Sequence, residues 1–376
     1  MAYLDNSATT AVCEAAVAAM VQAMTATFGN PSSLHRLGIE AEQTVRQARE
    51  RVAALIGAAA EQLIFTSGGT EANNLAILGT AAAKARGTRK AVTTAGEHPS
   101  VAACFDELEK QGWQVTRVPL RPDGTVLPQD VEAACEADTA LVSAMTVNNE
   151  TGALLDIADT VKRVKRKAPQ AIFHTDAVQA AGKVTLKADR WGVDLMTVSS
   201  HKIHGPKGCG ALYMRKGVRV LPRQIGGGQE RGWRSGTEGV PAIVGFGAAA
   251  AALPTVAEQG ERFGRLREAL LVGVADIPDV RVHTPSVGVP YIVNLSLVGF
   301  RSETLLHFLA ERDVYVSGGS ACSKGKLSPV LAAMGLPENE IDSALRISFS
   351  HTNTLEDVER FCTALREAAA TLRRRA

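Results

Sequence analysis

From about residue 62 onward, short apolar runs alternate with longer helical stretches. Several of the runs lack the polar alternation of a strand that is wetted on one face, which is typical of buried strands. We predict strands at 63–67, 91–95, 113–120, 139–147, 171–177 and 194–200. Because helical stretches separate most of them, the pattern predicts a mainly parallel sheet with helices on both faces. A further strand at 208–215, after a glycine-rich turn, is expected to run antiparallel.

The pattern changes after the uncharged, Ala-rich stretch 239–257, which predicts a buried helix rather than a membrane span. Beyond it we predict a helix at 302–313, a charged terminal helix, and strands at 280–284, 291–298 and 344–350. This part is typical of a smaller α+β unit that the N-terminal segment joins. We therefore expect an α/β protein with a large domain over 15–255 and a small domain formed by 1–14 and 256–376.

Charge and cysteine usage narrow the function class. The 376 residues include 41 Lys and Arg against 39 Asp and Glu, a net charge of +2, so the basic footprint of a nucleic-acid binder is absent. Six cysteines occur without a CxxC pair, as in reduced cytosolic proteins. The first ten residues lack the basic start and apolar core of a signal peptide. We expect a cytoplasmic protein that binds neither nucleic acid nor a membrane.

Lys202 has an unusual setting, between two histidines and directly after the apolar run 193–198. A lysine at the end of a buried strand is partly removed from water, which lowers its pKa and makes its amine a nucleophile toward an aldehyde. Two other readings stay open. His201, His204 and Cys209 could ligate a metal ion, or Lys202 could extend its amine to solvent from a structural position.

Other chemistry-bearing residues also follow predicted strands, where open α/β sheets bind ligands. Gly68 and Gly69 follow the strand at 63–67, and a helix that opens at Thr70 would offer free N–H groups to a phosphate. An ordinary glycine turn with Thr70 as the N-cap explains this motif equally well. His98 and the pair Asn148 and Asn149 follow two further strands.

Asp176 ends the strand at 171–177, with Gln179 three residues on. A buried carboxylate needs a cationic partner or several hydrogen bonds. A phosphate cradle, a buried carboxylate, a histidine and an aldehyde-trapping lysine together match one cofactor, pyridoxal 5′-phosphate (PLP), which has a phosphate, a ring nitrogen, a ring face and an aldehyde.

Several ordered motifs extend this agreement over essentially the whole chain. They are YLDNSATT, FGNPSSLH, SGGTEANN, EHPS, NNETG, HTDAVQ, SSHKIHGPKG, RSGTE, SGGSACS and LRIS. With them the sequence resembles the NifS/IscS-type cysteine desulfurases, members of the class V aminotransferase group with the type I PLP-dependent transferase fold.

The resemblance implies a role for each matching residue. Lys202 would bind the cofactor aldehyde covalently, Asp176 would pair with the ring nitrogen, and Gln179 would bond the ring's phenolic oxygen. His98 would stack on the ring and handle protons. The phosphate would contact the glycine turn at Gly69 and be held by Thr70, Ser199, His201 and, from the neighbouring subunit of a homodimer, Thr237. The substrate carboxylate would be taken by Asn149 and Arg346.

Cys322 matches the family's sulfur-accepting cysteine, and the Gly and Ser residues around it predict a mobile loop. The resemblance implies that L-cysteine is converted to alanine while Cys322 receives the sulfur as a persulfide for a protein acceptor, such as a cluster scaffold or a thiolation enzyme. The segment from Cys322 to Arg346 is slightly shorter than in the housekeeping enzymes of iron–sulfur assembly, which leaves the acceptor open. Alternatives are a selenocysteine lyase, a small-acid aminotransferase of the same fold and a non-catalytic sulfur-relay protein. A cysteine in such a loop disfavours the aminotransferase, and Lys202 with Asp176 disfavours the non-catalytic protein.

Overall fold

Strands and helices alternate along most of the chain. The computed structural model describes residues 1–84, 87–318 and 327–374. Within these ranges the strands are β1 (Ala2–Tyr3), β2 (Leu63–Thr66), β3 (Lys90–Thr94), β4 (Gln114–Val118), β5 (Leu141–Ser143), β6 (Ile172–Asp176), β7 (Leu195–Ser199), β8 (Gly210–Met214), β9 (Val280–Val282), β10 (Ile292–Leu297), β11 (Val314–Tyr315), β12 (Ser317–Gly318) and β13 (Ala344–Ser348).

The helices of the same ranges are α1 (Glu14–Thr25), α2 (Arg36–Leu55), α3 (Gly69–Ala83), α4 (Pro99–Lys110), α5 (Pro128–Ala134), α6 (Ile157–Lys167), α7 (Ala188–Trp191), α8 (Val240–Ala252), α9 (Val256–Val274), α10 (Ser302–Ala310), α11 (Pro329–Ala333), α12 (Glu338–Asp342) and α13 (Leu355–Thr371). Short 3₁₀ turns occur at Ala60–Gln62, Ser200–Lys202 and Glu230–Gly232.

A central sheet has seven strands within the described ranges, in the order β2-β8-β7-β6-β5-β3-β4. Strands β3 to β7 run parallel, whereas β8 runs antiparallel to both β2 and β7. The predicted mainly parallel sheet and the predicted antiparallel strand after the glycine-rich turn are therefore both confirmed.

Helices bury both faces of this sheet, which explains why its strands are apolar without alternation. Leu195 of β7 packs in a cluster with Leu75 of α3. Its neighbour Met196 points to the other face, because side chains alternate along a strand, and lies in a cluster with Phe246 of α8. Leu195 and Met196 are both fully buried.

Helix α8 lies in the uncharged stretch that the sequence predicts as a buried helix. Its residues Ile243, Phe246 and Ala249 are buried, which confirms that interpretation. In the described part of the chain, no single helix is long and apolar enough to cross a membrane. Helices α8 and α9 meet that condition only as a pair, which is bent by 76° at the break.

Two smaller sheets are formed mainly by C-terminal strands, and β1 joins one of them. The order of one is β12-β13-β10-β9, all antiparallel. In the other, β1 pairs in parallel with β11, and Asp5 continues the N-terminal segment by bridging to Ser348. This segment therefore lies against the C-terminal elements. The division into domains at residues 14/15 and 255/256 stays a prediction.

Candidate active site

A pocket opens where the parallel strands β3, β5, β6 and β7 end. The space within it that water-sized molecules can reach is about 90 Å³. Eight residues that the sequence singles out line it, namely Gly69, Thr70, His98, Asn149, Asp176, Gln179, Ser199 and His201. The other lining residues are Asn73, Ser100, Met145 and Val178. The topology thus brings together side chains that lie more than 130 positions apart, from 69 to 201.

The glycine turn before α3 forms one wall of the pocket. Gly68, not Thr70, is the N-cap, with φ of 153°, and Thr70 lies inside the first turn. The alternative with Thr70 as cap is therefore wrong, because a glycine here accepts a backbone conformation that side chains disfavour. A Cβ on Gly210 would come within 2.7 Å of the Gly68 Cα, so β8 requires glycine beside this turn.

This wall suits an anion. The first turn of α3 presents free N–H groups. The hydroxyl of Ser199 is buried beside them and finds no hydrogen-bond partner among the described residues. A Cβ on Gly69 would lie 3.1 Å from Cγ2 of Val178, so the glycine keeps the backbone close to the opposite wall.

Asp176 is the last residue of β6 and is only 5 % exposed. Its carboxylate accepts hydrogen bonds from Nδ2 of Asn73 at 2.8 Å and from the backbone N–H of Val178 at 2.9 Å. Asn73 also donates to the hydroxyl of Ser100 at 2.9 Å. Sequence reasoning gave Asn73 no role, although it stands in the SGGTEANN motif and is 1 % exposed. An amide side chain here holds the carboxylate in place.

His98 caps the N-terminus of α4. Its Nδ1 lies 3.2 Å from the backbone nitrogen of Ser100, which donates to it, and 2.8 Å from the Ser100 hydroxyl. Burial lowers the pKa of His98. A neutral imidazole whose Nδ1 accepts a hydrogen bond carries its proton on Nε2, so His98 offers one donor from a ring with a fixed position.

Lys202 ends the 3₁₀ turn that follows β7 directly. Its Nζ donates to the backbone carbonyls of Ser7 at 2.5 Å and Ala8 at 2.6 Å. Burial, with further lowering by the charges of Arg346 and Lys183, brings the pKa of Lys202 to about 7. A large fraction of the amine is therefore neutral at neutral pH and nucleophilic. Because the amine bonds to protein carbonyls, the alternative of a lysine that extends to solvent is disfavoured.

The N-terminal segment contributes to the site in a way that sequence reasoning missed. The carbonyl of Ser7 also accepts from Nε2 of Gln179 at 2.9 Å, so Gln179 and Lys202 share one acceptor. Oε1 of Gln179 is buried and finds no partner among the described residues. Nδ1 of His201 lies 3.2 Å from the hydroxyl oxygen of Thr9. Burial lowers the pKa of His201 to about 4.

Arg346 lies on β13, an inner strand of the small sheet between β12 and β10. Its Nη2 pairs with Asp5 at 2.9 Å and its Nη1 donates to the backbone carbonyl of Asn149 at 3.0 Å. Nε is buried without a partner among the described residues. Burial raises the pKa of Asp5 against the opposing effect of Arg346. Arg346 thus approaches the loop that carries Asn149 and keeps one buried donor available.

Thr237 does not line this pocket, and Lys202 and Arg346 lie beside it without being among its lining residues. Thr237 is exposed and lines a different cavity with Glu230 and Arg234. Its predicted role on the phosphate of a neighbouring subunit stays a prediction. Cys322 lies outside the described residues.

The metal alternative finds no support in the geometry. Within 1–84, 87–318 and 327–374, no three His, Cys, Asp or Glu side chains converge in a way that could hold a metal ion. Cys209 is 2 % exposed, and burial raises the pKa of its thiol to about 12. A metal-binding cysteine needs the thiolate form, which this environment disfavours.

Comparison with known proteins supports the same reading of the fold. Residues 2–361 match the family model of the class V aminotransferases. The chain is 42 % identical to a NifS/IcsS protein homolog of Lactobacillus delbrueckii over 98 % of this chain and 97 % of that protein. It is 40 % identical to the cysteine desulfurase IscS of Methanosarcina thermophila, over 99 % of this chain and 92 % of that protein.

Solved structures agree with these relatives. A NifS-like protein superposes with a TM-score of 0.93 and 35 % identity, covering 98 % of this chain and 99 % of that one. The protein SspA in complex with cysteine superposes with a TM-score of 0.83 and 32 % identity, covering 93 % and 99 %. The chain belongs to the class V aminotransferase family. Its resemblance to the NifS/IscS type and the predicted fold class are confirmed.

Proposed function

We propose that this protein is a PLP-dependent cysteine desulfurase, which takes sulfur from L-cysteine and releases L-alanine. One observation carries the proposal: a lysine amine with a pKa of about 7 is anchored beside a pocket that contains a buried carboxylate and a helix N-terminus. The names of the relatives, cysteine desulfurases at 40–42 % identity, support the choice of reaction.

The residues of the pocket fit PLP. The free N–H groups of α3 and the unpartnered hydroxyl of Ser199 suit its phosphate. Asp176, held by Asn73, suits a protonated ring nitrogen, and the unpartnered Oε1 end of Gln179 suits a bond to a ring substituent. When bound, the cofactor supplies an electron sink for negative charge on the carbon next to the substrate's carboxylate.

The chain's own residues bind and orient the substrate. Lys202 Nζ would hold the cofactor and, once free of it, would take the α-proton of the amino acid, for which a pKa of about 7 is well matched. Arg346 receives the substrate carboxylate, with its unpartnered Nε as the available donor. His98 lines the pocket and presents its Nε2 proton.

The sulfur step belongs to Cys322. Its thiolate attacks the sulfur of the bound cysteine, an S–S bond forms and the C–S bond breaks, with the electron pair left on the carbon. That carbon takes up a proton, Lys202 returns a proton to the α-carbon, and the product is alanine. The enzyme keeps the sulfur as a persulfide. In total, L-cysteine and one enzyme thiol give L-alanine and one enzyme persulfide. Lys324 and Lys326 stand two and four positions after Cys322 in sequence, and cations close to a thiol would favour its thiolate.

We further propose a homodimer. Val17, Val21 and Met24 follow one another at helical spacing on α1 and are 47 %, 48 % and 54 % exposed, and Phe28 just beyond is 64 % exposed. An apolar row of this kind is typical of an interface. A second copy would also bring its Thr237 to the phosphate site. Sedimentation of the cofactor-bound protein tests this, and an active monomer with full cofactor would contradict it.

For the cell, we propose a cytoplasmic enzyme that passes sulfur to a protein acceptor, either a scaffold for iron–sulfur clusters or a thiolation enzyme. The function itself is tested by incubating the purified protein with L-cysteine and measuring alanine and sulfide. Parallel reactions contain selenocysteine, or an amino acid with a 2-oxo acid. We expect alanine from L-cysteine and no amino transfer. Alanine from selenocysteine alone would identify a lyase, and amino transfer would identify an aminotransferase.

A further inference from the structure

Glu150 has a contact that the proposed chemistry does not use. It lies beside Asn149, in the loop that follows β5, and its carboxylate accepts a hydrogen bond of 2.5 Å from the hydroxyl of Ser328. Ser328 is 1 % exposed and is the N-cap of α11, where its oxygen accepts from the backbone of Leu331 at 3.1 Å. In sequence, Ser328 stands six residues after Cys322 (328 − 322).

The backbone of Glu150 is held on both sides. Its N–H donates to Oδ1 of Asn148 at 2.9 Å, and its carbonyl accepts from Nδ2 of Asn294 at 3.3 Å. Asn148 itself is anchored by a bond from its Nδ2 to the carbonyl of Gly96 at 2.9 Å. The carboxylate of Glu150 therefore extends from a fixed point, and its bond to Ser328 sets a defined distance to α11.

Arg346 has contacts that locate both described flanks of segment 319–326. On the upstream side, Ser317 of β12 is its partner in the sheet register. On the downstream side, Arg346 donates to the carbonyl of Asn149 at 3.0 Å, next to Glu150. Asn294, which bonds Glu150, is the partner of Arg346 on β10. The main chain fixes the upstream flank. The downstream flank is packed through Val330 and Leu331 against Leu120, and the bond of Ser328 to Glu150 ties it to the loop of Asn149.

We propose that Glu150 is a positioning residue for sulfur transfer: through Ser328 it fixes the downstream flank of the Cys322 segment relative to Arg346. This rests on the proposed function, in which Arg346 takes the substrate carboxylate and Cys322 takes the sulfur. Burial raises the pKa of Glu150 to about 7, against the lowering effects of the Ser328 bond and of the charge of Arg346. The ionised carboxylate is the stronger acceptor of the two forms. Within the described residues Ser328 is the side chain that donates a hydrogen bond to it.

The test compares Glu150→Ala with Glu150→Gln, which keeps an acceptor oxygen of nearly the same reach. Each purified variant is loaded with PLP and mixed with L-cysteine in a single turnover. Absorbance reports substrate binding, and alanine reports sulfur removal. For Glu150→Ala we expect unchanged PLP content, an absorbance change at the same cysteine concentration, and alanine formation slowed about tenfold. Glu150→Gln should recover most of the rate.

A double-variant cycle separates positioning from folding. Ser328→Ala loses the bond and also the cap of α11, so its rate is compared with that of Glu150→Ala/Ser328→Ala. If the two residues act through one bond, the double variant is about as slow as Ser328→Ala alone. Independent, multiplying losses would overturn the inference, as would a wild-type alanine rate in Glu150→Ala or an equal loss of cysteine binding. A wild-type protein that makes no alanine would instead overturn the proposed function.

Discussion

Lys202 and Ser7 are joined by a hydrogen bond of 2.5 Å between Nζ and the backbone carbonyl oxygen. The two residues lie 195 positions apart, and the contact draws the amine toward the N-terminal segment instead of solvent. The same carbonyl holds Gln179 at 2.9 Å. One backbone oxygen thus orients two of the groups that we assign to the cofactor.

Removal of the Lys202 amine should abolish covalent attachment of PLP. We expect Lys202→Ala to give no borohydride-reducible link between cofactor and protein, and no alanine from L-cysteine, because the Lys202 amine performs both tasks. Mass analysis after reduction checks this. The exposed Lys207, five positions on, provides the control: Lys207→Ala should behave as wild type. A reducible link at another lysine in Lys202→Ala would contradict the assignment.

We expect PLP binding and α-proton removal to depend on the negative charge of Asp176. Asp176→Asn keeps the size of the side chain but removes the negative charge, and Asp176→Ala removes the group. Loss of one partner of a buried ion pair typically costs about 3–5 kcal/mol. We therefore expect weaker PLP binding in both variants and slower α-proton removal, measured by exchange of the substrate α-hydrogen with solvent. Unchanged affinity and exchange in Asp176→Ala would exclude the pairing with the ring nitrogen.

The pH dependence of PLP attachment should follow the amine of Lys202. Its pKa is about 7, lowered first by burial and next by the charge of Arg346, while Asp5 and Asp176 act in the opposite direction. Only the neutral amine attacks an aldehyde, so the attachment rate of apoprotein should rise with pH around 7. In Arg346→Gln one lowering charge is gone, so the midpoint should move to higher pH. Stopped-flow absorbance measures both, with Arg360→Gln on α13 as the control. An unmoved midpoint would contradict this account.

We expect the buried charge of Lys183 to lower the free energy of unfolding near neutral pH. It is 7 % exposed, its Nζ has no hydrogen-bond partner among the described residues and lies 5.0 Å from the centre of the Tyr291 ring. Burial lowers its pKa from 10.5 to about 8. Below pH 8 Lys183 is protonated in both the folded and the unfolded protein, so the buried charge destabilises the folded protein fully. This destabilisation disappears as the pH rises from 8 to 10.5.

Lys183→Met should therefore raise the free energy of unfolding at pH 7, by at most about 3 kcal/mol, with a gain that shrinks as the pH rises toward 10.5. Urea unfolding of the cofactor-free protein at several pH values measures the difference from wild type. The exposed Lys187 serves as the control, since Lys187→Met should show no such trend. A constant or growing gain with pH would contradict the expected sign.

The positions of the strand-end residues could be predicted from sequence because parallel strands deliver their carboxyl ends to one edge. His98, Asp176 and Ser199 each stand near the end of an apolar run, and they line one pocket. The apolar run before each of these residues is visible in the local sequence, so the end of each strand can be predicted from it. It also shows the turn to β8, where glycines interrupt the alternation of strands and helices.

Other features depend on contacts that no local pattern records. The bond of Lys202 to Ser7 joins residues 195 positions apart. The pair of Arg346 with Asp5 joins residues 341 positions apart. Asn73 acquires its role only because β6 brings Asp176 to α3. Gly68 is the N-cap of α3, with a backbone angle that the sequence does not show. By residue type alone Thr70, two positions on, is also a good capping residue. Long-range packing decides each of these.

The central claim is that Cys322 receives the sulfur. The described cysteines include poor candidates, since burial raises the thiol pKa of Cys104, Cys135 and Cys362 to about 11. The most direct measurement mixes the PLP-loaded enzyme with L-cysteine, without acceptor or reductant, and determines both alanine and the mass of each cysteine peptide. We predict one alanine per active subunit and one added sulfur atom on the peptide of Cys322, with neither in Cys322→Ser. Stoichiometric alanine with no sulfur on Cys322, or a wild-type rate in Cys322→Ser, would contradict the account.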